Sequence, residues 1–379
     1  MDEVQMVREY YPEPAAAPAG EVGRLKALLA EPPRRSRPRL GWGLGGLVAV
    51  GAAATAAVTL VGGNTPVPGP VNLNGTGTVL AAAAKAEQQP MGRYWYSREV
   101  AGQSYIMRPK TGTYAVTGAL GEMFSWSDVR PGAGGQVSSR DLPTRPLTER
   151  DAAQWRRAGS PSSFRVWSND HYTTFTTKAT SWQTGGIAPE NTRFLDGRSV
   201  EDIQRLPTDQ AKLTEMFLTH PRLKSKDPVQ RIWAEKVQRR VTIDGKLAAV
   251  GGFLRNAPVQ PKVRAGLMRA LAAQPGIHEI GRATDPLGRA GVALASDDRA
   301  VTNADEYGVP KAELGTYRYR SVVIFDERTG AVLSSQDELT KPGGPYAEMK
   351  PGFVTYYAAT LKAGWTDAKP QPPAGLPFD

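Results

Sequence analysis

The stretch Tyr317–Leu339 reads YRYRSVVIFDERTGAVLSSQDEL. Its first nine residues are largely aromatic and β-branched, which suits a pleated, half-buried strand. Side chains alternate across a strand, so Tyr317 and Tyr319 share one face and Arg318 and Arg320 the other. Asp326-Glu327-Arg328-Thr329-Gly330 has turn chemistry, and Ala331–Leu339 is strand-like again. The spacing predicts a β-hairpin, and with it an antiparallel sheet. A second hairpin is expected just upstream, where Ile277–Ala283 and Ala290–Ala295 flank Thr284-Asp285-Pro286-Leu287-Gly288-Arg289. Phe353–Leu361 supplies a last strand.

Helical signals come before these hairpins. Leu206-Pro207-Thr208-Asp209 opens a helix that runs to Leu218. Asp227-Pro228 opens a second, reaching Arg255 with an interruption near Asp244-Gly245. A third spans Pro261–Ala273, with Val263, Leu267 and Leu271 on one side. Further upstream, strand character marks Arg93–Val100, Ser104–Met107, Thr113–Val116 and Met123–Trp126, with Lys110-Thr111-Gly112 as a turn. Pro131–Pro146 has the composition of a loop. Thr148–Ala158 is a short helix with Thr148 as cap and Asp151 in a capping-box position. Phe164–Trp167 and Tyr172–Lys178 are strand-like, and Thr78–Gln89 is helical. Strands, then helices, then hairpin-spaced strands imply an α+β domain. Its antiparallel sheet, which can curl into a half-barrel, carries helices on one face.

Ahead of this domain, Leu40–Val61 is 22 residues with no charged side chain. At 1.5 Å per residue that is roughly 33 Å of helix, enough to cross a hydrocarbon core of about 30 Å. Arg34, Arg35, Arg37 and Arg39 precede it, Trp42 stands at an interfacial position, and the next basic residue is Lys85. Positive charge stays on the cytoplasmic side, so the N-terminus is expected inside and the bulk of the chain outside the cell membrane. A cleaved signal and a buried helix are the rival readings. The former normally starts within a few residues of the chain start, and here about 40 residues come first. Gly41, Gly45, Ala49, Ala53 and Ala57 line one side of the segment, which a Gly/Ala-rich sequence produces by chance as readily as by helix pairing. The expected organisation is a cytoplasmic head (1–39), a transmembrane helix (40–61), a linker (62–77), an extracytoplasmic α+β domain (78–362) and a C-terminal tail (363–379).

Composition narrows the chemistry. The 379 residues carry a net charge of +10, 40% hydrophobic residues, three histidines and no cysteine. Disulfides, thiolate catalysis and Cys-ligated zinc are excluded. Outside Pro33–Arg39 the basic residues are scattered rather than clustered, and an outer domain meets envelope polymers or lipid headgroups, so no nucleic-acid partner is expected. His171, His220 and His278 show no metal-ligand spacing, and no nucleophile elbow or phosphate loop occurs. No metal, cofactor or enzymatic activity is expected. Adjacent carboxylates at Asp297-Asp298, Asp305-Glu306 and Asp337-Glu338 are the nearest approach to acid–base chemistry, and leave an envelope hydrolase as a minor alternative. The aromatics of the first strands are more suggestive. Tyr94, Trp95, Tyr96, Tyr105 and Trp126 are the candidate lining of a ligand site between a curled sheet and its helices. Core packing is the competing explanation for them, and a protein-interaction module without a pocket the competing function.

Five stretches carry a resemblance: the basic Pro33–Arg39 before one span, GRYWYSREV at Gly92–Val100, LPTD at Leu206–Asp209, LRNAPVQPKVRAGLMRALAAQPGIHEIGRATDPLGRAGVALA at Leu254–Ala295, and IFDERTGAVLSSQ at Ile324–Gln336. The chain resembles a group of actinobacterial single-pass membrane proteins of unassigned biochemical function, often encoded beside extracytoplasmic-function sigma factors. Its outer part is similar to the curved-sheet lipoprotein-carrier fold. The resemblance implies binding or sensing of a lipid or other envelope ligand, a possible envelope or membrane protein partner, and a link to sigma-factor signalling. The head lacks the length and the His/Cys signature of a typical anti-sigma domain.

Overall fold

The computed structural model describes residues 77–168, 171–219, 242–305 and 308–378. The head, the expected span with Arg34, Arg35, Arg37, Arg39 and Trp42, most of the linker and the helix start at Asp227-Pro228 lie outside the described residues. Within them, no helix is long and apolar enough to cross a membrane.

The elements follow in the order α1 (Thr78–Glu87), β1 (Tyr94–Met107), β2 (Tyr114–Asp128), β3 (Gly135–Asp141), β4 (Arg145–Pro146), α2 (Glu149–Arg157), β5 (Ser163–Ser168), β6 (His171–Thr176) and β7 (Gln183–Ile187). Then come α3 (Val200–Gln204), α4 (Gln210–Phe217), α5 (Ile243–Asn256), α6 (Pro261–Ala272), β8 (Ile277–Thr284), β9 (Ala290–Ser296), β10 (Arg299–Asn303), β11 (Gly315–Phe325), β12 (Val332–Lys341) and β13 (Val354–Thr366). The fold is α+β. Eleven strands form one antiparallel sheet in the order β7-β3-β2-β1-β13-β12-β11-β9-β8, with β4 beside β2 and β10 beside β11. The sheet is not closed. Strands β5 and β6 pair separately.

Both hairpins form as the sequence predicts. In the β11–β12 turn, Asp326 Oδ1 accepts from the backbone N–H groups of Arg328 and Thr329, each at 2.8 Å. Gly330 closes the turn at φ +66°, and a Cβ there would run into the Ala82 carbonyl of α1. Helix caps also follow sequence. Thr148 accepts from the Asp151 N–H, and Asp209 from the Lys212 N–H, at 3.1 and 2.9 Å.

Three features differ from the expectation. Pro131–Pro146 is not all loop, because β3 pairs with β2 over Gly121–Ser127. Its Gly/Ser-rich sequence has little strand propensity of its own, so the ladder comes from the partner. The four short strands at the start are two long ones, since β1 and β2 run through their glycines by way of a bulge near Gly102. The last strand continues to Thr366, past the expected domain end at 362, where Trp95 pairs with Trp365.

Alternation along β1 separates the two faces of the sheet. Trp95, Ser97 and Glu99 face the helices: Arg264 of α6 lies 4.7 Å over the Trp95 ring, Ser97 Oγ donates to Asn256 Oδ1 at 3.0 Å, and Arg255 Nε donates to Glu99 Oε2 at 2.5 Å. Helices α1 and α3–α6 bury Val79, Ala82, Ile203, Leu213, Leu247 and Leu267 against Val292, Leu294, Val323 and Phe325 of the strands. Helix α5 comes closest at Gly251, where a Cβ would stand 2.9 Å from both Val323 and Ser335 side-chain atoms. Tyr94, Tyr96, Arg98 and Val100 project to the opposite face.

Replacing Gly330 by Ala is expected to lower stability by about 1–3 kcal/mol, through the left-handed backbone and the close approach to α1. A urea midpoint moved down at unchanged m-value is the measurement.

Candidate functional site

On the face away from the helices, a cleft of about 610 Å³ opens where β1, β2, β3 and β7 meet the start of the C-terminal tail. Tyr94 and Trp126 form its aromatic floor, edge to face with ring centroids 5.5 Å apart. Trp126 is 9% exposed, and its Nε1–H has no hydrogen-bond partner among the described residues. A buried indole N–H ordinarily finds an acceptor; among the described residues the Trp95 Nε1–H, beneath α6, lacks one as well.

One wall is glycine. Gly134 and Gly135 stand so close to the carbonyls of Ile187 and Trp126 that a Cβ would collide with them. The other wall is charged. Asp128 receives Arg93 Nη2 and Arg130 Nη2, both at 2.9 Å. Burial pushes its carboxyl up, but the hydrogen bonds from Arg130 and Arg93 outweigh this and hold it below the usual carboxylate range. The Arg93 guanidinium lies 4.7 Å over Tyr94, and Lys369 Nζ lies 4.9 Å over Trp126. The cleft lining thus carries two cations, Arg93 and Lys369, and one carboxylate, Asp128, with Asp367 accepting from the Arg93 N–H nearby. An anionic or hydroxyl-rich group stacked on the aromatics is the chemistry it accommodates.

The five aromatics expected to line a site do not converge. Tyr94 and Trp126 are in the cleft. Tyr96 is on the same face beside it, packed on Phe124 at 6.4 Å. Trp95 is on the other face, buried beneath α6 and against Trp365 at 5.3 Å. Tyr105 belongs to a separate cluster with Phe164 and Val166, donating to or accepting from Ser168 at 2.9 Å. Burial there pushes its phenol up to about 12. The expected position between sheet and helices is filled by the buried leucines of α5 and α6. Arg93, Asp128, Lys369 and the glycine wall were not singled out by sequence. The run Gly132-Ala133-Gly134-Gly135 was the available signal, and it reads as loop until β7 is placed against β3.

Two of the three carboxylate pairs, Asp297-Asp298 and Asp337-Glu338, are engaged by neighbours, and Glu306 of the third lies outside the described residues. Asp298 pairs with Arg318 at 2.5 Å and Asp297 with His278 at 2.6 Å. Among the described residues, no three His, Asp or Glu side chains gather as metal ligands. Asp337 accepts from Ser321 Oγ at 2.5 Å on the helix-side face. Burial pushes its carboxyl up to about 7; nearby Asp244 and Glu338 add to the shift, while the Ser321 hydrogen bond and Arg299 oppose it. No family model, curated protein or solved structure matches this chain.

Because the folded state keeps the Asp337 proton that the unfolded chain releases near pH 4, Asp337 favours folding at low pH. That contribution fades as pH rises from about 4 towards 7, by on the order of 1.4 kcal/mol per pH unit. Asp337→Asn is expected to flatten this segment of the stability–pH profile, measured by urea denaturation at each pH. An unchanged slope would show that the carboxyl titrates normally.

Proposed function

We propose that the chain is a membrane-anchored extracytoplasmic binding and sensing protein. It has one span at 40–61, its N-terminus in the cytoplasm, and a lipid or other anionic envelope molecule as ligand. The observation that carries this reading is the cleft, with its Tyr94–Trp126 floor, unpartnered Trp126 Nε1–H and excess of cationic side chains. The unclosed antiparallel sheet is compatible with a half-barrel like that of the lipoprotein carriers. The link to sigma-factor signalling rests on the sequence resemblance alone. A protein-interaction role has one observation in its favour: β7 is an exposed edge strand beside the cleft, open to pairing with another chain.

Native mass spectrometry of the full chain, purified with lipids of its own membrane, is expected to show an adduct of lipid mass. Trp126→Phe, which keeps the ring and removes the donor, is expected to weaken that adduct about 5–10-fold, the worth of roughly one hydrogen bond. A clean apo mass would move the assignment to the protein-interaction module. For topology, protease added to intact spheroplasts is expected to digest the 78–379 portion and leave an epitope on the 1–39 head protected. Loss of the epitope would reverse the orientation.

A further inference from the structure

The chain after β13 runs Asp367–Phe378 as DAKPQPPAGLPF. Its four prolines cannot donate to a ladder, and no backbone–backbone hydrogen bond holds it among the described residues. It nevertheless lies along the helix-free face of the sheet. The Arg93 N–H donates to Asp367 Oδ1 at 3.0 Å, Trp182 Nε1 donates to the Pro373 carbonyl at 2.8 Å, and Arg140 donates to the carbonyls of Ala374 and Gly375. Arg140 is itself fixed by the buried Glu122. Beyond this point Leu376 and Phe378 pack on Val100, Leu120, Leu142 and Tyr357.

What this segment covers is polar and incomplete. The Phe378 ring lies 4.1 Å from the Arg145 guanidinium, whose Nε and Nη2 are buried and have no hydrogen-bond partner among the described residues. The Tyr357 hydroxyl and Thr117 Oγ1 are also without partners among the described residues, and both residues are 0% exposed. These groups are neighbours. Thr117 stands opposite Arg145 in the β2–β4 ladder, and Thr117 and Tyr357 both close over Gly102, where a Cβ would be 2.8 and 3.4 Å from them. Arg145 is half-buried, and its two shielded guanidinium donors, without an acceptor among the described residues, are costly; their planar geometry suits a carboxylate. The apolar side chains beside it suit a hydrocarbon chain, and Leu376 and Phe378 now occupy that place.

We propose that Arg145, Tyr357 and Thr117 bind the head of a long-chain fatty acid or similar carboxylate amphiphile, and that residues 370–378 are a strap occupying its acyl groove until the ligand displaces them. This site is separate from the Trp126 cleft and does not depend on what fills it. The strap's tenure is compatible with exchange, because side chains rather than a β-ladder hold it.

The test titrates the full chain in phosphatidylcholine nanodiscs with a fluorescent long-chain fatty acid, using empty nanodiscs as baseline. The uncharged alcohol of the same chain is titrated in parallel. Loosening the strap with Leu376→Ser and Phe378→Ser together is expected to tighten fatty-acid binding at least tenfold. In that background Arg145→Leu is expected to lose at least tenfold, Arg145→Lys is expected to retain part of the affinity, and the alcohol is expected to bind at least tenfold more weakly than the acid. The acid–alcohol comparison needs no change at Arg145, so it decides the matter even if Arg145→Leu fails to fold. Equal affinity for acid and alcohol, or no gain on loosening the strap, overturns the proposal. Trp126 and Lys369 are untouched in every variant.

Discussion

The Glu99–Arg255 ion pair joins the centre of the sheet to the helical layer, and the rest of the architecture is arranged around it. Both side chains are more than nine-tenths buried, and Arg255 Nη1 also donates to Ser335 Oγ of β12 at 3.1 Å. A buried pair of this kind is weak evidence for net stability, yet removing one partner strands a charge and costs about 3–5 kcal/mol. Its consequence is orientation. With Asn256 bonded to Ser97 and Gly251 seated on Val323 and Ser335, the C-terminal half of α5 has one position on β1, β11 and β12. That position commits one face of the sheet to the helices and leaves the other for binding.

The helix-free face is organised by a second buried set of charges. Glu122, fully withdrawn from water, takes Arg98 on one oxygen and Arg140 on the other. Arg140 stacks on Trp182 at 4.3 Å and reaches the C-terminal segment. One carboxylate in β2 therefore positions a strand, an aromatic side chain and the tail. The cleft at Tyr94 and Trp126 lies at one end of this arrangement, and the unpartnered Arg145 and Tyr357 at the other. Polar groups without partners are rare in folded interiors. Among the described residues they occur at both ends of this face, and also beneath the helices at Trp95 Nε1 and Arg264 Nη2.

Much of the secondary structure was legible because it rests on local physics. The Asp326–Gly330 turn, the Thr148 and Asp209 caps and the Pro261 helix start each depend on residues within a few positions of one another. The alternation that put Tyr317 and Tyr319 together also placed Arg318 and Arg320 opposite, where they pair with Asp298 and Glu338. Strand β3 was missed because its Gly/Ser composition carries no strand signal; its ladder is supplied by β2. The C-terminal segment was read as a tail for the same kind of reason, since its contacts with Arg93, Val100, Leu120, Arg140, Leu142 and Trp182 come from residues more than 100 positions away.

Sequence alone determined the α+β class, the hairpins, the helix starts, the absence of thiol chemistry and the uncharged stretch at 40–61, because these follow from composition and short-range periodicity. Only the tertiary structure decided which aromatics share a site. Trp95 and Tyr96 are adjacent in the chain, yet a strand sends them to opposite faces, one beneath α6 and the other toward the cleft. Which face is lining and which is core depends on where the helices dock, and that is set by Glu99 meeting Arg255, 156 residues along the chain.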